Sequence, residues 1–365
     1  MVDPRIEKLA KLCVHYSVDV KPKEKVIIQG MCGAFPLINE IYKECLLSDA
    51  YPLITPELDV EYTFFRYAKE HQLKYASPFE KFRIENMDVQ IYVWCEVNPK
   101  RLTNIDASKI TLHQTSKKEC NEIFRKREGE GKLKWVGLPY PVEAEAQEAT
   151  MSFAEWEDFV YSSCLVDNEN PIMKWKKIHK QQERICNFLN RVDEIHIVSE
   201  DTDITFSVKG RKWENCAGKI NMPDGEVYTT PLENSANGTI RFTFPGIYSG
   251  REIEDITLTF KNGKVVKASA TKGNDLLQKT LRIEGANRIG EAAIGTNYNI
   301  TNFTKNILFD EKMGGTIHIA LGDSYPKTGG QNKSPIHWDI LKDMKKDGEI
   351  YADGKLFYKD GKFLI

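Results

Sequence analysis

Several common signatures are missing from this 365-residue chain, and each gap removes a class of function. Its eight cysteines, at 13, 32, 45, 95, 120, 164, 186 and 216, form no C-x-x-C pair, so neither a zinc knuckle nor a thioredoxin motif is written here. After Gly30 the chain reads Met-Cys-Gly33-Ala-Phe-Pro, which is not the G-x-G-x-x-G of a dinucleotide fold. Arg127-Glu-Gly-Glu-Gly-Lys132 misplaces its glycines for a Walker A loop and lacks the following Ser/Thr. There is no G-x-S-x-G elbow, which argues against an α/β-hydrolase serine. No stretch approaches the ~18 continuous apolar residues of a membrane span. The opening Met1-Val-Asp-Pro-Arg-Ile-Glu-Lys lacks the apolar core of a signal peptide. Charge of one sign is also missing: 51 basic residues face 53 acidic ones, leaving −2 and no electrostatic case for nucleic acid or an anionic membrane. Reduced, buried thiols in a cytoplasmic protein are therefore expected. The sequons at Asn237 and Asn302 read as chance.

What is present is ordinary for a globular protein: 41% hydrophobic and 28% charged residues. The length suggests roughly two domains. Through the first half, helical periodicity alternates with short β-branched runs. Strands are expected at Lys25–Gly30, Tyr51–Thr55, Asp88–Trp94 and Lys134–Leu138. Helices are expected at Pro4–Val18, Phe35–Leu47, Glu61–His71, Ser116–Lys126, Ser152–Val166 and Met173–Val192. That alternation predicts a parallel sheet flanked by helices. From Glu194 the chain turns to strands and tight turns, with hairpins at Asn262-Gly263 and at two Asp-Gly pairs in the tail. The expected architecture is an α/β N-terminal scaffold domain, residues 1–192, followed by an α+β metal-binding catalytic domain, residues 193–365.

The chemistry collects between Phe309 and Asp339. Histidine is scarce, seven in all, yet two lie in this stretch. His337 and Asp339 flank one residue, so on a strand they share a face. His318 interrupts the apolar run Thr316-Ile-His-Ile-Ala-Leu, which reads as a buried strand. Imidazole and carboxylate are favoured ligands of intermediate divalent metals. Each residue alone also has a plainer reading, a surface His beside an Asp or a satisfied core His. Two more carboxylates join them. Glu226 begins a strand after the Pro-Asp-Gly turn, where a solvent-facing strand Glu is the plainer alternative. Glu291 sits among small and apolar residues in Arg288-Ile-Gly-Glu-Ala-Ala-Ile-Gly295, where a buried charge needs a partner or a metal. Glu226, Glu291, His318, His337 and Asp339 make five potential ligands, more than one catalytic zinc usually takes. They suit two divalent ions about 3.5–4 Å apart, sharing a carboxylate and activating a water. His318 with His337-x-Asp339 also has the composition of a two-His, one-carboxylate iron triad.

In these segments the chain resembles the thermophilic metalloaminopeptidases, the aminopeptidase T and S type of leucyl aminopeptidase. The likeness is carried by Asp3-Pro-Arg-Ile-Glu-Lys-Leu-Ala, Met222-Pro-Asp-Gly-Glu226-Val-Tyr-Thr-Thr-Pro, Arg288-Ile-Gly-Glu291, Phe309-Asp-Glu311, His318-Ile-Ala-Leu-Gly, Tyr325 and His337-Trp-Asp339. The resemblance implies that Glu226, Glu291, His318, His337 and Asp339 are metal ligands and that Glu311 is either a ligand or the general base. It implies that Tyr325 hydrogen-bonds the developing oxyanion. It further implies two divalent ions (Zn, Co or Mn), peptide substrates with a free N-terminus, and a homodimer. A mononuclear non-haem iron ring-cleaving dioxygenase and a non-catalytic metal-binding relative are the competing expectations. Glu226 and Glu291 weigh against the iron site, which does not need them.

Overall fold

The computed structural model describes residues 3–365, which divide into two compact units. The first comprises residues up to Ile172 together with Gly218–Met222. Its centre is a four-stranded parallel sheet, ordered Tyr51–Glu57, Lys25–Met31, Val89–Trp94, Lys134–Pro139. Val26, Ile28, Val89, Ile91, Val136 and Leu138 are all buried, as expected where helices cover a sheet. Gly218–Met222 counts with this unit because its backbone bonds to Gly137: the Gly137 N–H donates to Ile220 O (2.8 Å) and the Met222 N–H to Gly137 O (2.9 Å).

Local sequence explains where the helices begin and end. Phe35–Leu47 has a proline in its first turn, where the missing N–H costs nothing. Phe153–Ser163 starts with a capping box: Ser152 Oγ accepts from the Glu155 N–H (3.3 Å), and Glu155 Oε2 accepts from the Ser152 N–H (2.8 Å). The helix expected over Glu61–His71 is broken into Glu61–Tyr67 and Glu70–Leu73. Ala68 is extended there, and the Gln72 side chain caps the second piece by accepting from the Lys69 N–H (2.9 Å).

The second unit comprises Met173–Ala217 and Pro223–Ile365. The long helix Pro171–Leu189 therefore groups almost wholly with this unit, ahead of the 192/193 division expected from composition. Two antiparallel sheets dominate it. The larger has eight strands, running from Lys264–Ser269 at one edge through Thr202–Ser207 and Glu194–Ser199 to Lys362–Phe363. The smaller has five, ordered His337–Asp343, Thr316–Gly322, Ile289–Gly295, Glu226–Thr229, Glu214–Cys216. Ile195, Ile197, Ile204, Phe206, Val227, Ala292, Ile294, Ile317, Ile319 and Ile340 from both sheets form one apolar core. The hairpin turns expected at Asn262-Gly263, Asp353-Gly354 and Asp360-Gly361 all have positive φ at both residues, 50° and 77° for the first pair. Among the described residues no helix is long and apolar enough to cross a membrane.

In the first unit, Glu145 lies buried against Trp156. Burial, reinforced by the charge of Glu96, pushes its carboxyl up to about 8 from 4.5. The fold therefore prefers the neutral acid. The stability it contributes is full below about pH 4.5 and declines as pH rises through about 8, because the unfolded chain gives up its proton first. Glu145→Gln should change stability little at pH 4.5 and raise the thermal midpoint increasingly toward pH 9, where the gain approaches on the order of 5 kcal/mol at about 1.4 kcal/mol per pKa unit. Midpoints measured across that range would contradict the assignment if the gap stayed constant.

Candidate metal centre

Strand register assembles the candidate site. In the five-stranded sheet, Glu291 pairs with Ala320 and Ala320 with Asp339, so these three residues form a row across neighbouring strands. The next rows place Ala293 beside His318, Gly322 beside His337 and Gly295 beside Glu226. Side chains alternate along a strand, so Glu226, Glu291, His318, His337 and Asp339 share one face. Val227, Ile294, Ile317, Ile319 and Ile340 point the other way into the core. Alanine at 293 and 320 leaves the space between the polar groups unfilled. A bulge between Ile289 and Glu291 adjusts the register. Glycine is required there, since a Cβ on Gly290 would stand 2.2 Å from Asp323 O.

The distances are those of a cation site. His337 Nε2 lies 3.1 Å from Glu291 Oε2 and 3.4 Å from Asp339 Oδ1. His318 Nε2 lies 3.4 Å from Glu226 Oε2, 3.5 Å from Glu291 Oε1 and 3.9 Å from Asp339 Oδ1. Four groups of potential ligand atoms each lie within 4.8 Å of one another: Glu291–His337–Asp339, Glu226–Glu291–His318, Glu311–His318–Asp339 and Cys216–Asp224–Glu226. Glu226, Glu291, His318 and Asp339 each belong to two of them, so the groups overlap into one cluster. Asp323 O accepts a hydrogen bond from His337 Nδ1 (2.8 Å), which turns Nε2 toward the carboxylates.

Glu311 stands on the turn after the Ile307–Asp310 helix and reaches the cluster from the side. Tyr325 lies at the rim, 39% exposed, with its ring 5.1 Å from that of His337 and 5.3 Å from that of Tyr228. Burial and the nearby Glu291 and Asp339 raise its hydroxyl well above the ordinary tyrosine value, so it stays a donor. All seven residues singled out from the sequence thus lie in or beside one site. Three neighbours escaped that reading. Tyr228 and Asp224 adjoin Glu226, and Lys312 follows Glu311. The available signal for Lys312 was a lone cation between the apolar Phe309 and Met313, in a segment whose two following glycines permit close packing.

Lys312 is wholly buried, and its Nζ lies 3.0 Å from Glu226 Oε1 and pairs with Glu311 Oε1. The helix Pro171–Leu189 braces the same strands, with Gln182 Nε2 donating to Cys216 O (2.9 Å) and to Glu226 O.

The electrostatics ask for more positive charge than these side chains hold. Burial works against an ionised His337, yet Asp339 and Glu291 outweigh it and push the imidazole up to about 11. Asp339 shows the converse: burial opposes its charge, but His337 and His318 hold it down at about 2. Burial raises Glu226, with Lys312 and His318 only partly offsetting it. Glu226 Oε2, Asp339 Oδ1 and both ring nitrogens of His318 are buried without a hydrogen-bond partner. Orphaned anionic oxygens facing an orphaned imidazole are costly unless a cation joins them. The donor set, carboxylate oxygen with imidazole nitrogen, fits a divalent metal.

Comparisons with known proteins agree with this chemistry. A family model described as thermophilic metalloprotease (M29) matches residues 2–363. Aminopeptidase 2 of Geobacillus stearothermophilus is 26% identical over 397 residues, spanning 97% of this chain and 95% of that protein. Aminopeptidase AmpS of Bacillus subtilis is 27% identical, spanning 96% of each. Aminopeptidase T of Thermus aquaticus is 29% identical over 54% of each chain. The solved structure of wild-type AmpT from Thermus thermophilus superposes with a TM-score of 0.84, covering 99% of both chains at 20% identity, and shares the fold.

The gap at Ala320 gives a test of the site that needs no turnover. Ala320→Leu would place a branched side chain between Glu291 and Asp339. Calorimetric titration with zinc should show affinity lowered by roughly 10–100-fold, the range seen when ligand positioning is disturbed, while circular dichroism stays unchanged. Unaltered zinc affinity in the folded variant would mean that metal binds elsewhere.

Proposed function

Because the chain belongs to the thermophilic metalloprotease family M29, we propose that this sheet face is its active site and that two divalent ions (Zn, Co or Mn) bind there. The chain is a metalloaminopeptidase and acts on peptides. The observation that carries the site assignment is the convergence of Glu226, Glu291, His318, His337 and Asp339 on one sheet face, with Glu311 reaching it from the adjacent turn. In this reading Glu291, His337 and Asp339 would hold one ion, and Glu226, Glu291 and His318 would hold the other. A mononuclear iron site would leave Glu226 without a task, so the oxygenase reading is not favoured. The second unit is then the catalytic domain and the first its scaffold. We extend the proposal to a cytoplasmic homodimer, supported by the family likeness.

The bound metal would lower the pKa of a water and polarise the scissile carbonyl. The remaining steps belong to the chain's own residues. Glu311, reaching in from the Ile307–Asp310 turn, accepts the proton of the attacking water and passes it to the departing amine. Tyr325 keeps its proton and donates it as a hydrogen bond to the developing oxyanion. One ion, or a carboxylate not engaged by metal, would meet the substrate's α-amine, so that cleavage occurs one residue from the N-terminus. Placing Glu226, Glu291, His318, His337 and Asp339 on strands limits their motion, which preserves near-attack geometry.

Glu291 is shared by both positions, so Glu291→Ala should abolish hydrolysis of leucyl-p-nitroanilide and release metal. A fully active Glu291→Ala protein would sink the assignment. Tyr325→Phe removes only a hydroxyl. Its kcat should fall by about 10²–10³ with KM nearly unchanged, the cost of one oxyanion donor. A loss confined to KM would give the tyrosine a binding role instead.

A further inference from the structure

The candidate cluster contains a cation of its own. The Lys312 side chain is 0% exposed, and its ammonium is 3.0 Å from Glu226 Oε1 while pairing with Glu311 Oε1. Its backbone is fixed: the Lys312 N–H donates to Phe309 O (3.0 Å), and Lys312 O accepts from the Asn297 N–H (3.0 Å). Gly295, opposite Glu226 on the neighbouring strand, makes room for this turn, because a Cβ there would stand 2.0 Å from Met313 O and 3.1 Å from the Lys312 carbonyl carbon. The lysine is thus delivered to the carboxylates by a packed turn rather than drifting in from a surface.

Its placement is one-sided. Glu226 and Glu311 belong to the two ligand groups that contain His318. The group Glu291–His337–Asp339 receives no ion pair from Lys312 among the described residues. An ammonium on Glu226 Oε1 and a divalent ion on Oε2 of the same carboxylate, the oxygen that faces His318, repel each other in a pocket with little solvent to screen them.

We propose that the Lys312 ammonium fills the cation position beside Glu226 and His318, so that the two metal positions load in separate steps. The first ion binds at Glu291, His337 and Asp339. The second, at Glu226, Glu291 and His318, must displace the ammonium from Glu226. This rests on the two-ion reading above and adds to it an internal competitor for one site. The chain then works across a range of metal supply as a tightly held one-ion form and a conditional two-ion form.

The test is zinc titration of the metal-stripped full-length protein by calorimetry, with bound zinc per chain counted by native mass spectrometry. The wild type should bind one zinc at least 100-fold more tightly than a second. Lys312→Met and Lys312→Gln, which remove the charge but keep much of the volume, should narrow that gap by at least 10-fold. Lys312→Arg should preserve it. Two zinc ions entering wild type in one unresolved step would overturn the proposal without any variant, as would an unchanged gap in folded Lys312→Met. Circular dichroism checks folding, and if both uncharged variants unfold, the wild-type isotherm decides. Two equivalent zinc sites with full activity would refute the competitor and leave the peptidase site standing. Binding of no zinc at all would refute both.

Discussion

Four carboxylates, Glu226, Glu291, Glu311 and Asp339, are gathered in a space from which water is largely removed. That concentration of negative charge is the constraint on which the rest of the second unit depends. In water such groups would repel weakly and stay solvated. Under a packed turn, each loses hydration and meets its neighbours at low effective dielectric. Positive charge must enter, and three sources are available: the Lys312 ammonium, protons on His318 and His337, and divalent metal. The elevated proton affinity of His337 and the orphaned atoms of His318 and Asp339 are signs of the same demand.

Holding the groups together takes a rigid frame, because charges that repel would otherwise spread. The frame is an antiparallel sheet whose other face is anchored in an apolar core. Side chains alternate, so a strand such as Thr316–Gly322 commits Ile317, Ile319 and Leu321 to the core and aims His318 and Ala320 at the site. Backbone hydrogen bonds set the spacing between strands, and Gln182 adds a brace where the edge strand meets the Glu226 strand. Hydrophobic burial on one face thus offsets the electrostatic cost on the other.

Parts of this were open to reading from residues alone. His337-x-Asp339 on a strand must point one way, and a histidine inside an apolar run, like His318, had to be buried. Glu291, among small and apolar residues, had to be desolvated. Those inferences depend on period-two alternation and on solvation, both local properties. Lys312 illustrates the opposite case. A lysine after two acidic residues has the look of a solvated turn, and its burial follows from Gly295 at the end of another strand and from Asn297 just beyond it. The helix Pro171–Leu189 behaves similarly: its periodicity was visible, but its membership in the second unit depends on what its apolar face packs against.

By itself the sequence determined the order of elements, the change from α/β to antiparallel strands near residue 194, the hairpin turns, and the residue types available for metal chemistry. It did so because helix and strand periods, turn conformations and ligand preferences are set within a few residues. Only the tertiary structure decided that Glu291, Ala320 and Asp339 form one row, that alanines hold the space between the ligands open, and that Lys312 points at Glu226. Those are matters of register and packing between segments 15 to about 90 residues apart in the chain, which no local pattern encodes.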